Sequence, residues 1–227
     1  MTGILILTGW AWVVHSAESL ELCFNYGCSK TVPVLFSDEE LGAVGARFAG
    51  VQDAEGERVV LAQAVADLYR VAGEQSPIVA DRGGNYADSG VEGRMDCIDH
   101  STNTTRFLEL MASKGWLQHH VVREPSRRSR IIFQHFSAVL EERDDVRPMG
   151  AQEVHEGFPD HVAILLALCD CPEVVLDAVA SRPLQTDPKL EPEPALFVVD
   201  SWFEDHAQPA VIMPLANWLN GEGPNVQ

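Results

Sequence analysis

The chain has 227 residues, of which 16 are Lys or Arg and 34 are Asp or Glu, so its formal net charge at pH 7 is -18. Basic residues that neutralise phosphates supply most nucleic-acid affinity, and anionic lipid surfaces attract basic segments, so this charge argues against either partner. The hydrophobic fraction of 46% is ordinary for a globular protein, which excludes a largely disordered chain.

The N-terminus carries an apolar run, Ile4 to Val14, that is too short to span about 30 Å of hydrocarbon. It has the length of the central part of a secretory signal peptide, and the small residues Ser16 and Ala17 follow it. We interpret residues 1–17 as a signal peptide, which predicts a periplasmic or secreted protein with no stable membrane anchor. The alternative is a buried first strand in a cytoplasmic protein.

Three helices are predicted in the first half of the chain. Ser37 has the character of an N-cap, with three acidic residues in the first turn of a helix to about Phe48. A second helix is predicted over residues 57–72 and a third over residues 97–114. Apolar residues recur on one face of the second helix, at Leu61, Val65, Leu68 and Ala72, and Gly73 is expected to end it.

Strand-like patterns dominate the second half. Residues 116–123 and 130–141 are predicted strands, and residues 125–128 are the predicted hairpin connection between them. A buried strand is expected at residues 195–200. Residues 211–219 are predicted to hold a last strand or turn and a short helix.

The domain organisation follows from these elements. Residues 18–227 are predicted to form a single domain with an N-terminal helical part at residues 18–90. Residues 76–94 are polar and rich in glycine, which predicts a loop, and a long loop in a compact domain is often functional. Residues 143–194 are rich in proline and are interpreted as an insertion.

The chain has five cysteines, Cys23, Cys28, Cys97, Cys169 and Cys171. An odd number in an exported protein indicates disulfide pairs and one free thiol. A bridge within the C-x-C pair would close a strained ring, so we expect bridges between the two clusters and a free Cys97. A four-thiolate zinc site is one alternative, although structural zinc sites usually use C-x2-4-C pairs. Five reduced cysteines in a cytosolic protein are another.

Cys97 is the candidate nucleophile. It lies where the glycine-rich loop becomes a helix, and the positive end of a helix favours a thiolate. The polar run after it, Ser101 to Thr105, predicts a helix start packed into a polar site. The preceding Asp96 is expected to line a substrate cleft.

A thiolate enzyme also needs a base and a group that orients the base. His135 opens a predicted strand and is the favoured base, with His161 and His100 as alternatives. Asp200 ends an apolar strand, where a carboxylate is costly unless it is paired, so it is the candidate orienting acid. Trp202 is expected to pack over the site and line the cleft.

In this order the three residues resemble the transglutaminase-like superfamily, whose members are papain-like-fold cysteine enzymes with a Cys-His-Asp triad. The 38-residue spacing from Cys97 to His135 suits that family and favours His135 over His161. The matching segments are Cys97 with residues 105–110, Gly115-Trp116-Leu117, residues 135–141 and Val198-Val199-Asp200.

Two positions depart from the pattern. Ile98 follows the cysteine where the family has an aromatic residue, and Ser201 follows Asp200 where the family has proline. These departures bear on the substrate pocket more than on the triad. The chain also resembles an uncharacterised family of exported proteobacterial proteins.

The resemblance implies an α+β fold in which a nucleophile helix packs on an antiparallel β-sheet, with further helices on its N-terminal side. It implies a cysteine-dependent amide hydrolase or acyltransferase that acts on peptides or proteins. Cys97 would be the nucleophile, His135 the base and Asp200 the orienting acid, with no metal or organic cofactor. A catalytically inactive binding module of this fold and a disulfide-stapled structural protein remain the alternatives. Nothing in the sequence indicates an oligomeric state.

Overall fold

The computed structural model describes residues 17–130, 133–143 and 194–224. The expected signal peptide at 1–17 and the expected insertion at 143–194 lie outside these ranges, except for residues 17, 143 and 194. The candidates outside the described residues are His161, Cys169 and Cys171. The described part mixes α-helices with antiparallel β-strands, as the predicted α+β class requires.

The described chain begins with an antiparallel β-hairpin, which precedes the helices of the segment predicted to be helical at 18–90. Its strands are β1 (Ala17–Phe24) and β2 (Lys30–Ser37). Alternate side chains on the two strands point into the core, namely Leu22, Phe24, Val34 and Phe36. This period of two is typical of strands with one buried face, and it explains why no helix forms here.

Helix α1 (Asp38–Arg47) confirms the predicted cap. The Ser37 side chain accepts a hydrogen bond from the Glu40 amide, and the Glu40 carboxylate accepts one from the Ser37 amide. This reciprocal pairing satisfies two donors that the first turn would otherwise leave free.

Helix α2 (Ala54–Gln75) is longer at both ends than residues 57–72. Asp53 caps its start, and Gly73 lies inside its last turn instead of ending it. The ring of His206 packs so closely there that a Cβ at position 73 would overlap it. Gly73 therefore permits a close contact, and Pro77 opens a separate 3-10 turn, Pro77–Ala80.

The remaining elements are α3 (Cys97–Ser113), β3 (His120–Arg130), β4 (Phe133–Glu142), β5 (Leu196–Asp200), β6 (Val211–Pro214) and α4 (Leu215–Leu219). The strands form one antiparallel sheet in the order β3-β4-β5-β6, and α3 packs against β4 and β3. Helix α3 and the strand pair β5 and β6 confirm the sequence predictions to within a few residues. Among the described residues, no helix combines the length and apolar character needed to cross a lipid bilayer.

The hairpin connection predicted at residues 125–128 is wrong, because these residues belong to β3. The pairing register with β4 shifts between Arg123 and Ser126, so Pro125 lies where the ladder is irregular. Proline has no amide hydrogen and is tolerated in a strand where the ladder is interrupted. Proline therefore marks an irregularity inside the strand rather than its end.

A buried ion cluster joins α2 to the start of β3. Glu57 is fully buried and accepts hydrogen bonds from the amides of Gln118 and His119 and from Nδ1 of His120, the last at 2.8 Å. Nε2 of His120 lies 3.2 Å from the Arg58 guanidinium, which can only donate. Nε2 of His120 must therefore accept, and its proton lies on Nδ1. Burial alone would raise the pKa of Glu57, but the hydrogen bonds from His120, His119 and Gln118 outweigh burial and lower it.

We expect Glu57→Gln to lower the free energy of unfolding at neutral pH by about 1–3 kcal/mol. The reason is that the NH2 group of the glutamine side chain would face one of the three donors that now bind the carboxylate. The folded pKa lies below the unfolded one, so the carboxylate stabilises the wild type above the unfolded pKa of about 4.3. That stability is lost as pH falls through the folded pKa. Urea unfolding from about pH 7 to pH 3 should show the difference between the two proteins shrinking. A constant difference would contradict this role of Glu57.

Candidate active site

Cys97 is the first residue of α3, as predicted, and it faces the backbone of β4. Asp96 caps the helix, and its Oδ1 accepts hydrogen bonds from the amides of Ile98 and Asp99, both at 3.0 Å. In the described part, β5 pairs with β4 at residues 138–141, so residues 134–136 of β4 have no partner strand on the β5 side. The Cys97 thiol lies against these residues and donates a hydrogen bond to the Gln134 carbonyl, with 3.8 Å between sulfur and oxygen.

The protonation state of Cys97 differs from the expectation of a resting thiolate. Burial raises the pKa of the thiol to about 11, and the negative charges of Asp96 and Asp200 add to this effect. The backbone amide of Phe136 favours the thiolate but does not offset burial. Cys97 is therefore a thiol at neutral pH, and a nucleophilic role would require a base to take its proton.

His135 and Asp200 form the predicted pair. Nε2 of His135 lies 2.7 Å from Oδ2 of Asp200, and both side chains are buried. Trp218 Nε1 donates to the same oxygen at 2.9 Å, and the Trp202 amide donates to Oδ1 at 3.2 Å. Because an ionised carboxylate can only accept hydrogen bonds, Nε2 of His135 must donate, and the His135 proton lies on Nε2. This leaves Nδ1 of His135 as a buried acceptor with no partner among the described residues.

Aromatic rings surround the His135 imidazole. The ring centroids of Trp202, Phe203 and Trp218 lie 4.8, 5.5 and 5.5 Å from it. Trp202 is buried, so it packs over the site as predicted, and its ring contacts that of Tyr86 at 4.8 Å. These rings exclude water from the His135–Asp200 pair, which strengthens that hydrogen bond.

Sequence reasoning missed two of these aromatic residues. Trp218 lies in the short helix α4, and only the β5–β6 pairing brings it to Asp200. Tyr86 lies in the glycine-rich loop, and its partial burial raises its pKa. The polar loop at residues 76–94 was the available signal for Tyr86, whereas no local pattern marks Trp218.

A disulfide loop holds the start of α3. Cys23 and Cys28 are bonded to each other, so the expected bridges between the two cysteine clusters are wrong for this pair. The amides of Tyr26 and Cys28 donate to Asp99 at 2.8 and 2.6 Å, and the Gly27 amide donates to Asp96 at 3.0 Å. These contacts require the left-handed backbone of Tyr26, Gly27 and Cys28. The loop therefore clamps both carboxylates that flank Cys97.

The same residues give the closest approach to a metal-ligand group in the described part. The ligand atoms of Cys23, Cys28 and Asp99 lie within 4.8 Å of one another. However, the two sulfurs are bonded to each other and offer no thiolate, and the Asp99 oxygens already accept backbone hydrogen bonds. Cys97 is the free cysteine of the described residues.

His100, the third candidate base, has hydrogen-bond partners other than the thiol. Its Nδ1 contacts the Ser201 hydroxyl at 2.8 Å and its Nε2 contacts Asp81 at 2.9 Å, so both nitrogens are engaged. Burial would lower the pKa of His100, but the charge and hydrogen bond of Asp81 outweigh it and raise the pKa. A histidine with two occupied nitrogens cannot accept the thiol proton, so His135 is the better candidate base of the two.

Comparisons with protein-family models, curated proteins and solved structures found no match. The transglutaminase-like assignment therefore stays a prediction, and the candidate chemistry rests on the geometry of Cys97, His135 and Asp200.

Proposed function

We propose that the protein is a cysteine-dependent amide hydrolase or acyltransferase that acts on peptides or proteins. The observation that carries this proposal is the His135 imidazole. Its Nε2 is fixed by Asp200, and its Nδ1 is buried without a partner in the described part of the chain. The peptide groups on either side of His135 contact the Cys97 thiol. A nucleophile, a base and an oriented tautomer are the parts that such chemistry needs.

The thiol is protonated, so attack and proton transfer occur together. Nδ1 of His135 takes the proton while sulfur bonds to the substrate carbonyl carbon, whose oxygen becomes negative. The tetrahedral intermediate collapses, the C–N bond breaks, and the His135 imidazolium gives its proton to the leaving amine. The product on Cys97 is a thioester. Water, activated by His135, then releases a carboxylic acid and restores the thiol, whereas an amine in place of water gives a new amide.

The developing oxyanion needs donors near the thiol. The amides of Ile98 and Asp99 are already bonded to Asp96, so the start of α3 offers fewer free donors than its helix dipole alone would indicate. The Cys97 amide lies next to its own sulfur and favours the thiolate. We assign the oxyanion contact to the Cys97 amide.

Export is compatible with the Cys23–Cys28 disulfide, because such bonds persist mainly in oxidising compartments. A periplasmic or secreted location would place peptide crosslinks of the cell wall or secreted proteins within reach as substrates. The negative charge of the chain favours neutral or basic regions of such substrates.

The first test is alkylation of the full chain by iodoacetamide, followed by peptide mass spectrometry. We expect Cys97 to react at about pH 7.5 at least 100-fold faster in the wild type than in His135→Ala, since a positioned base contributes about 10²- to 10⁴-fold. In His135→Ala, labelling should rise only as pH approaches the thiol pKa of about 11.

Two histidine variants serve as controls. His119 is buried, and its Nδ1 also has no partner among the residues that the structure describes, but it lies beside Glu57 just before β3. His161 is the alternative base of the sequence analysis. His119→Ala and His161→Ala should label at the wild-type rate. Equal rates in wild type and His135→Ala would overturn the enzyme proposal and favour a binding module, whereas loss only in His161→Ala would move the base to His161.

A further inference from the structure

A further buried histidine–carboxylate pair, besides His135–Asp200 and Glu57–His120, lies next to the triad. Asp81 and His100 are 1% and 4% exposed, and they meet at 2.9 Å. Unlike the Glu57–His120 pair, which joins α2 to β3, this pair contacts the segments on which Cys97 and Asp200 lie. Its contacts with the segment that carries Cys97 and with the segment that carries Asp200 indicate its role.

On one side, the pair holds the approach to Cys97. Oδ1 of Asp81 accepts a hydrogen bond from the Met95 amide at 2.8 Å, two residues before Cys97. His100 lies on α3 itself, one turn after Cys97. The loop that enters α3 and the first turn of α3 are thus tied to one carboxylate.

On the other side, the pair holds the turn after β5. Nδ1 of His100 contacts the Ser201 hydroxyl at 2.8 Å, and Thr104 contacts the same hydroxyl at 2.9 Å. Ser201 is the middle residue of a turn in which the Trp202 amide donates to Oδ1 of Asp200. Fixing Ser201 therefore fixes both the Asp200 carboxylate and the Trp202 ring that packs on His135.

We propose that Asp81 and His100 form a positioning unit for the triad, which sets the Asp200 turn relative to Cys97 through the Ser201 hydroxyl. This inference rests on the proposed function. Neither residue touches the reacting atoms, so their effect acts through the placement of His135 and Asp200. Displacements of about 1 Å at such a site can cost about 100-fold in rate.

Two substitutions at His100 separate the arms of the unit. The Asn amide reaches the position of Nδ1 in histidine, so His100→Asn retains the contact with Ser201. The Gln amide reaches the position of Nε2, so His100→Gln retains the contact with Asp81 and loses Ser201. We expect His100→Gln to lower the rate of Cys97 alkylation by iodoacetamide about 10- to 100-fold. We expect a smaller loss, of about 3- to 10-fold, in His100→Asn, which loses Asp81 but still fixes the Ser201 hydroxyl.

The Glu57–His120 pair provides a control for effects that come only from lower stability. His120→Gln weakens a buried histidine–glutamate contact away from the triad, so we expect it to lower the midpoint of urea unfolding but not the alkylation rate. Ser201→Ala removes the shared hydroxyl and should reproduce the rate loss of His100→Gln, with no further loss in the double variant.

The outcomes distinguish the two proposals. If wild-type labelling does not depend on His135, the proposed function fails. If it does depend on His135, but His100→Gln and His100→Asn label at equal rates, only the positioning unit is overturned. It is also overturned if the alkylation rate of all four variants simply follows the unfolding midpoint, because a structural role predicts that result.

Discussion

Asp200→Asn should lower steady-state turnover of p-nitrophenyl acetate, a small activated ester that acylates cysteine nucleophiles, by about 10³- to 10⁴-fold. The reason is the number of donors around Asp200: His135 Nε2, Trp218 Nε1 and the Trp202 amide all point at its two oxygens. An asparagine lacks the negative charge that stabilises the His135 imidazolium, and its NH2 group must face at least one of these donors. If the NH2 group takes the Oδ2 position, the His135 proton also moves to Nδ1 and the base is lost.

The measurement separates acylation from deacylation. Release of p-nitrophenol in the first turnover reports attack by Cys97, and the steady state reports hydrolysis of the thioester, which needs His135 as base. We expect the steady state to fall more than the burst, because the activated leaving group needs no protonation. Full turnover in Asp200→Asn would contradict the assigned role of the Asp200 carboxylate.

Trp218→Phe is the matched control for this experiment. It keeps an aromatic ring beside His135 and removes one of the two donors to Oδ2 of Asp200. The second donor, His135 Nε2, keeps its partner, so the tautomer is unchanged. We expect a loss of turnover of at most about 100-fold, well below that of Asp200→Asn, since one hydrogen bond to a charged group contributes about 1.5–3 kcal/mol.

Local signals in the sequence predicted the elements that carry the candidate triad. Ser37 and Glu40 mark the start of α1 by a capping pattern that needs no tertiary information. The start of α3 at Cys97 and the end of β5 at Asp200 also follow local patterns, a loop-to-helix change and an apolar run. The polar run after Cys97 was interpreted as packing into a polar site, and Ser101, Asn103 and Thr104 are indeed buried.

Features that depend on tertiary contacts could not be predicted from the sequence. The helix dipole argued for a thiolate at Cys97, yet burial and the N-cap carboxylate of Asp96 act in the opposite direction. The Cys23–Cys28 pairing depends on left-handed residues whose amides bind Asp96 and Asp99, and Asn25, Tyr26 and Cys28 adopt positive φ although they are not glycine. Side chains from distant segments determine both outcomes.

Gly93→Ala tests whether the loop that leads into Cys97 is held in place. Gly93 has a φ of +86°, and a Cβ there would overlap the carbonyl oxygen of Pro77. The Gly93 amide also donates a hydrogen bond to the Asn25 side chain at 2.8 Å. A shift of the glycine-rich loop would therefore lose this contact with the disulfide loop between Cys23 and Cys28. Left-handed strain and overpacking each cost about 1–3 kcal/mol. We therefore expect a loss of about 2–5 kcal/mol in the free energy of unfolding.

Gly90→Ala is the control in the same loop, because a Cβ at position 90 meets nothing within 4 Å. Its unfolding free energy should stay within about 0.5 kcal/mol of wild type, as for most surface substitutions. Urea unfolding of both variants, with alkylation of Cys97 as a second readout, gives the comparison. Since Gly93 lies four residues before Cys97, its strain should slow alkylation as well, whereas Gly90→Ala should not. Equal midpoints for the two variants would show that the Pro77–Gly93 contact does not hold the loop, and the placement of the thiol would then depend on the clamp formed by Asp96 and Asp99.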